Sequence, residues 1–199
     1  TIPHSVTSIR DYAFSCCSNL TTVTIPDSVT TLGESAFRGC GGVLTINCNI
    51  PSPEHYDDYG GVKDSAFYDS RFTSIIIRDG VTTIGDSAFK KCHSLTSVTI
   101  PDSVTSIGSG AFCDCNNLTS ISIPDSVTEI DGAAFRGCSS LTSITIPDSV
   151  TSIEYYAFDG CSSLTSISIP DSVTAIKEGA FRGCSSLTSI TIPDSVTAI

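Results

Sequence analysis

The chain has 199 residues and a formal net charge of −11, with 10 lysines and arginines against 21 aspartates and glutamates. Its basic residues do not cluster beyond Lys90 and Lys91, so we expect it to bind neither nucleic acid nor an anionic membrane surface. No stretch approaches the length of about 18 apolar residues that a membrane-spanning helix needs, so we expect no membrane insertion in this segment.

A repeat of 23 residues runs along almost the whole chain. Each regular unit opens on an isoleucine, which we count as position 1 of the unit. One stretch departs from this spacing, and we interpret residues 48–54 as an insertion followed by a shortened unit. The predicted units begin at residues 2, 25, 55, 77, 100, 123, 146 and 169, with a partial unit at 192. The spacing therefore predicts one array over residues 1–199, which opens and stops within a unit as an excerpt of a longer array would.

The unit that starts at residue 100 shows how one repeat is built. Its apolar residues are Ile100, Val104, Ile107, Ala111, Phe112, Leu118 and Ile121. The alternating β-branched run over 118–123 is typical of a strand with one buried face, and Pro124 ends it. The glycine-containing stretch before Phe112 favours a tight turn or a short helical turn. One unit buries too little apolar surface to offset an ordering cost of about 1 kcal/mol per residue, so the units must stack.

Stacked units predict a repeat solenoid in which each coil adds one short parallel strand to a curved sheet. Turns or short helical segments are expected on its convex side. The pattern C-x-x-L-x-x-I-x-I-P-x-x-V-x-x-I-x-x-x-A-F, complete over 138–158, resembles the leucine-rich repeats of BspA-like proteins. These are mostly surface proteins of bacteria and protozoa, and several are regarded as adhesins. The resemblance implies a leucine-rich-repeat fold, a cell-surface or secreted location, and binding to an extracellular matrix or cell-surface protein.

Seven of the ten cysteines share one position of the repeat. They are Cys17, Cys40, Cys92, Cys115, Cys138, Cys161 and Cys184. Stacking would bring neighbouring members to about 5 Å, so we predict a structural ladder of small buried thiols. Disulfides between neighbouring coils are the alternative that this spacing leaves open. We expect no zinc site, because no C-x-x-C spacing occurs, and no cofactor.

Two rows of polar side chains are predicted on the surface of the array. The outward strand positions carry serine and threonine, as at Ser120 and Ser122, and form either a solvated face or a broad polar contact surface. The third position of the unit carries aspartate, as at Asp102 and Asp125. These carboxylates either cap local turns or bind divalent cations, which favour several carboxylate oxygens. We assign no metal ligand among them.

The variable positions of the repeat are where we expect specific partner contacts, because packing does not restrict them. The candidates that flank the buried phenylalanine are Tyr155, Tyr156, Lys90, Lys91, Arg136 and Arg182. The irregular stretch adds a second set of candidates, which are His55, Tyr56, Asp57, Asp58 and Tyr59. Tyrosines beside acids suit protein recognition, and loops on a rigid scaffold often carry function. A decayed repeat that bulges into solvent is the alternative interpretation.

We therefore predict a non-enzymatic protein-binding scaffold, part of a cell-surface adhesin-like protein. No phosphate-binding loop, nucleotide-binding fingerprint or catalytic constellation is evident in the sequence, so no catalytic residue is assigned. A structural subunit or interaction scaffold in a larger intracellular or organellar assembly is the alternative, which free thiols would suit. Ice or mineral-surface binding through the serine and threonine face is a third hypothesis. The sequence leaves the oligomeric state open.

Overall fold

The computed structural model describes residues 1–53 and 64–199, which wind into a solenoid of stacked coils. The predicted repeat solenoid is confirmed, since every strand pairs in parallel with a strand of a neighbouring coil. The strands are, in chain order, β1 (Ser8–Ile9), β2 (Thr22–Ile25), β3 (Thr31–Leu32), β4 (Gly41–Ile46), β5 (Arg71–Ile77), β6 (Thr83–Ile84), β7 (Ser97–Thr99), β8 (Ser106–Ile107), β9 (Glu129–Ile130), β10 (Ser143–Thr145), β11 (Ser152–Ile153), β12 (Ser166–Ser168) and β13 (Ala175–Ile176).

The strands form two ladders, where the sequence predicted one strand per coil. The predicted ladder runs through β10 and β12, in which Ile144 lies opposite Ile167. The second ladder runs through β8 and β9, in which Ile107 lies opposite Ile130. In both, the partners occupy the same position of successive units. The second ladder was not predicted because a two-residue segment such as Ser106–Ile107 is too short to show a strand period.

The third side of each coil consists of turns, and the short helical segments allowed for by the sequence do not form in residues 1–53 and 64–199. In most coils two residues take left-handed conformations there, such as Gly110 with φ of 62° and Asp114 with φ of 61°. Between them, the amide of Phe112 donates to the carbonyl of Ala134 in the next coil at 2.8 Å. The turns therefore join successive coils through their own column of backbone hydrogen bonds.

A stack of phenylalanine rings runs through the core. Neighbouring ring centroids lie 5.2 to 5.7 Å apart, and the angles between ring planes do not exceed 25°. We label the coils A to H by these rings, which are Phe14, Phe37, Phe67, Phe89, Phe112, Phe135, Phe158 and Phe181. The rings of coils B to G are fully buried, and the isoleucine, leucine and valine side chains of the strands complete the core around them.

Serine and threonine side chains also bond from coil to coil. Ser126 Oγ donates to the carbonyl of Val104 at 2.7 Å, and Thr142 Oγ1 donates to the carbonyl of Thr119 at 3.3 Å. Equivalent residues in other coils make the same two bonds. Each hydroxyl thus satisfies a carbonyl oxygen of the preceding coil, which explains why the repeat keeps small polar residues at these positions.

The cysteine column bonds in the same direction. Cys138 Sγ donates to the carbonyl of Phe112 at 3.2 Å. The buried members of the column are Cys40, Cys92, Cys115, Cys138 and Cys161, while Cys184 is half-buried and Cys17 is exposed. Burial raises the pKa of Cys161 to about 12 and that of Cys40 to about 11. These thiols are therefore protonated at neutral pH and serve as small hydrogen-bond donors in the core.

We expect iodoacetamide at about pH 8 to alkylate Cys16 and Cys17 rapidly in the folded protein, and Cys161 only after unfolding. The exposed thiols meet the reagent, whereas a buried thiol with a pKa of about 12 has almost no nucleophilic thiolate at that pH. Mass spectrometry of the alkylated protein, with and without urea, would locate each label. Rapid labelling of Cys161 without urea would contradict its burial.

The coils depart from their regular register near the predicted insertion. Ile46 of β4 pairs with Ile25 on one side and with Ile77 on the other. Ile46 therefore occupies the first position of its coil, whereas the sequence count began this unit at residue 55. The physical reason is that the apolar run ending at Ile46 can hydrogen-bond and pack against two strands, and this outweighs a constant spacing.

The predicted insertion at 48–54 overlaps the regular path of this coil. Ile50 forms a bridge with Ile84 of β6, so it still belongs to the regular path of the coil. Further along the chain, Ser65 is again on this path, since its carbonyl accepts a hydrogen bond from the Ser35 amide at 3.2 Å. Ile50 of the predicted insertion therefore lies on the regular path, whereas residues 54–63, with the predicted unit start at 55, lie outside the described residues.

Candidate protein-interaction surface

Two predicted contact residues, Arg136 and Arg182, meet at one carboxylate on the turn side of coils F, G and H. Asp159 accepts hydrogen bonds from Arg136 Nε at 3.2 Å, from Arg182 Nε at 2.9 Å and from Arg182 Nη2 at 2.8 Å. The Asp159 side chain is 9% exposed, whereas those of Arg136 and Arg182 are 54% and 63% exposed. The carboxylate therefore holds both guanidinium groups in place while each presents much of its surface to solvent.

The electrostatics of this cluster keep Asp159 ionised. The hydrogen bonds from the Arg182 guanidinium lower the pKa of the Asp159 carboxyl below its ordinary value, and the positive charge of Arg136 acts in the same direction. Burial of the carboxyl opposes this effect without reversing it. A two-pronged contact of this kind is among the stronger ion pairs in proteins, so the guanidinium of Arg182 is restricted to one orientation.

Tyr156 supports the same cluster from the side. The guanidinium carbon of Arg182 lies 5.2 Å from the centre of the Tyr156 ring, a cation–π distance. The Tyr156 hydroxyl donates to Glu178 Oε1 at 3.3 Å. A methyl group at Gly179 would collide with the Tyr156 ring, so the glycine of coil H is what lets this ring lie against it.

Tyr155 precedes Tyr156 in the chain, and 52% of its surface is exposed. Its neighbour on coil F is Gly132, which has no side chain to cover the ring. We name Tyr155, Tyr156, Arg136 and Arg182 the tyrosine–arginine patch. Tyrosine and arginine are the residue types over-represented among those that contribute most to protein–protein binding.

Lys90 and Lys91 lie in coil D, apart from the tyrosine–arginine patch. Lys91 Nζ donates to the Tyr68 hydroxyl at 2.9 Å and lies 5.3 Å from the centre of the Tyr68 ring. The hydrogen bond to Tyr68 raises the pKa of Lys91. The structure therefore places these two lysines in a separate cationic cluster. The predicted contacts His55, Tyr56, Asp57, Asp58 and Tyr59 lie outside the described residues.

Two residues that organise these clusters, Asp159 and Tyr68, were not among the predicted contacts. Both follow a core phenylalanine directly, at the position that arginine takes in coil F. An aspartate with an arginine at the same position of the units before and after it was the signal available in the sequence. Its meaning depends on stacking, which brings equivalent positions of successive coils together.

The serine–threonine row and the aspartate row both lie on the surface, as expected. Ser97 and Thr99 of β7 point outward around the buried Val98, and Ser97 Oγ donates to Ser74 Oγ at 3.2 Å. Asp102 and the other aspartates of the third position are exposed. Over residues 1–53 and 64–199 no group of three or more histidine, cysteine or acidic side chains could hold a metal ion. Within the same ranges, no helix is long and apolar enough to cross a bilayer.

Asp131 lies among like charges on coil F. Burial raises the pKa of its carboxyl, and the negative charges of Asp86, Glu129 and Glu154 raise it further. A carboxyl whose pKa is higher in the folded than in the unfolded state binds more protons when folded. Its ionisation therefore destabilises the fold as pH rises through the interval between the two pKa values, and the penalty is complete at neutral pH.

We expect Asp131→Asn to raise the free energy of unfolding at pH 7 by about 0.5 kcal/mol or less, since solvent screens this exposed site. The gain should vanish at about pH 3, where the native carboxyl is protonated in both states. Urea denaturation at the two pH values would measure it. A gain of equal size at both would show that the charge is not its cause.

Comparison with known proteins supports these observations. The sequence matches the family model described as BspA type leucine rich repeat region, over residues 1–59, 60–158 and 105–199. A comparison with curated proteins found no match. Among solved structures, the chain is similar to a leucine rich cell surface protein from Faecalibacterium prausnitzii, with 37% identity and a TM-score of 0.62 over 94% of this chain and 52% of that protein.

Two further solved structures show the same fold. A leucine-rich repeat protein from Bacteroides ovatus is 31% identical, with a TM-score of 0.68, over 96% of this chain and 42% of that protein. A leucine rich repeat protein from T. pallidum is 29% identical, with a TM-score of 0.63, over 92% of this chain and 72% of that protein. The chain thus spans about half the length of the first two proteins. With the repeat, the register and these matches in agreement, the chain belongs to the BspA-type leucine-rich-repeat family.

Proposed function

We propose that this chain is a non-enzymatic protein-binding scaffold and forms part of an adhesin-like protein on the cell surface. The observation that carries the proposal is the 37% identity, over 94% of the chain, to a leucine rich cell surface protein. A solenoid also suits this function physically, because stacked coils present an extended surface whose variable positions can change without disturbing the core.

The tyrosine–arginine patch is the contact surface that we propose within the described residues. Tyr155 offers an exposed aromatic ring, and the two arginines of the patch offer guanidinium surface that Asp159 already holds in position. Side chains that are ordered before binding lose less conformational entropy when the partner arrives. We propose residues 55–59 as a second contact segment, on the basis of its tyrosines and acids in the sequence.

Binding can be tested with the full chain in solution over immobilised fibronectin, laminin and type I collagen, measured by biolayer interferometry. We expect at least one of these matrix proteins to bind, and Tyr155→Ala to weaken that binding about tenfold, as truncation of a central aromatic contact does. Tyr12→Ala is the matched control, since Tyr12 is 53% exposed and lies on coil A. Arg136→Ala tests an arginine of the patch. Its control is Arg78→Ala, which removes the same charge outside the patch.

Three outcomes are informative. Loss of binding in Tyr155→Ala but not in Tyr12→Ala would support both the scaffold and the patch. Equal binding by the two variants would place the contact elsewhere on the chain and overturn the patch. Absence of binding to all three matrix proteins would count against the adhesin-like function.

A further inference from the structure

The residue that follows the core phenylalanine is a cation in every second coil. Coils B, D, F and H carry Arg38, Lys90, Arg136 and Arg182, whereas coils A, C, E and G carry Ser15, Tyr68, Cys113 and Asp159. The residue after it extends the alternation, with Asp69 in coil C, Lys91 in coil D and Asp114 in coil E. We name this row of side chains the charged edge. Along it, coils B to H alternate strictly between coils with cations and coils with acids.

The acids of the charged edge interact with the cations of the neighbouring coils. Asp69 Oδ2 lies 3.3 Å from Arg38 Nε of coil B. Asp159 binds one arginine of coil F and one of coil H, at 3.2 and 2.8 Å. The Asp114 carboxylate lies against Gly137 of coil F, and its negative charge contributes to the raised pKa of Lys91 in coil D.

The other contacts between coils do not distinguish one neighbour from another. The phenylalanine stack, the serine and threonine bonds and the cysteine bonds repeat with the same residue types from coil to coil. A coil that skipped its neighbour and stacked on the following one would therefore keep nearly all of them. Such slipped and swapped arrangements are characteristic errors of repeat proteins.

We propose that the charged edge determines the order in which the coils stack. Skipping one coil places two coils of the same class side by side, for example Arg136 against Arg182, at the spacing of about 5 Å between paired strands. Like charges at neighbouring positions of paired strands destabilise the pair, while opposite charges stabilise it. The charges therefore favour stacking of a coil on its immediate neighbour over stacking on the coil two positions away. This inference does not depend on the proposed binding function.

The sharpest test removes residues 146–168, which constitute coil G, from the full chain. The register across coils F, G and H is constant, so the new junction between Thr145 and Ile169 reproduces the natural one. In the shortened chain Arg136 lies next to Arg182. We then introduce Arg182→Asp into both the complete and the shortened chain and measure urea denaturation of all four proteins.

We expect the substitution to have opposite effects in the two chains. In the complete chain Arg182→Asp brings a second carboxylate to Asp159, so the unfolding equilibrium constant should increase about threefold or more. In the shortened chain it pairs a carboxylate with Arg136, so that constant should decrease about two- to fivefold. Both effects should diminish in 1 M salt, where the screening length is about 3 Å. The same sign in both chains would overturn the proposal.

A second deletion keeps the test decisive if the shortened chain does not fold. Removing residues 123–168 deletes coils F and G and places Asp114 next to Arg182, which restores the alternation. We expect Arg182→Asp to increase the unfolding equilibrium constant of this chain about threefold or more, as in the complete chain, because the substitution again brings two carboxylates together. A decrease would contradict a role for the charged edge in coil order.

Discussion

Replacing Phe112 with alanine is expected to lower the free energy of unfolding by about 3–5 kcal/mol. The ring is fully buried and stacks on Phe89 at 5.4 Å and on Phe135 at 5.5 Å. The substitution removes apolar burial and two aromatic contacts, each of which contributes about 0.5–1.5 kcal/mol beyond burial. The surrounding coils cannot collapse into the cavity, because hydrogen bonds between coils hold them on three sides.

Urea denaturation followed by far-ultraviolet circular dichroism would measure the effect. We also expect a smaller dependence of the unfolding free energy on urea concentration, since a weakened central coil lets the two halves of the solenoid unfold separately. Tyr155→Ala is the control, because it truncates an exposed aromatic side chain and should change stability by no more than about 0.5 kcal/mol. A loss below about 1 kcal/mol for Phe112→Ala would show that the ring stack is not a main source of stability.

Gly42→Ala is expected to lower the free energy of unfolding by about 3 kcal/mol. Gly42 lies in β4 at a shift in strand register, with a left-handed φ of 89°. An added methyl group would collide with the carbonyl oxygen of Thr21, which itself accepts a hydrogen bond from the Val43 amide at 3.0 Å. The two backbones approach so closely only because glycine has no side chain.

Gly80→Ala separates the two contributions to this loss. Gly80 has a similar φ of 94°, but nothing lies within 4 Å of an added methyl group. It should therefore show the conformational cost alone, about 1 kcal/mol. Thermal or urea denaturation of the two variants gives the comparison. If both lost the same stability, the close contact between Gly42 and Thr21 would have no energetic weight.

The geometry of the tyrosine–arginine patch was only partly predictable from the sequence. Variation at positions that packing does not restrict was enough to select Tyr155, Arg136 and Arg182 as candidates. It could not show that the two arginines share the carboxylate of Asp159, because the three residues come from three coils. It also could not show that Lys91 of coil D binds Tyr68 of coil C. Each such pairing depends on which side chains face each other after stacking.

The sequence by itself determined that this chain is a solenoid and which side chains form its core. One unit is too small to fold alone, and identical apolar, hydroxyl and thiol groups at a constant interval can be satisfied only by neighbouring copies. The tertiary structure decided the second strand ladder, the assignment of Ile46 to its coil, and the joining of Arg136 and Arg182 through Asp159. These features follow from contacts between coils, whose free energies depend on residues that lie far apart in the chain, so no local pattern contains them.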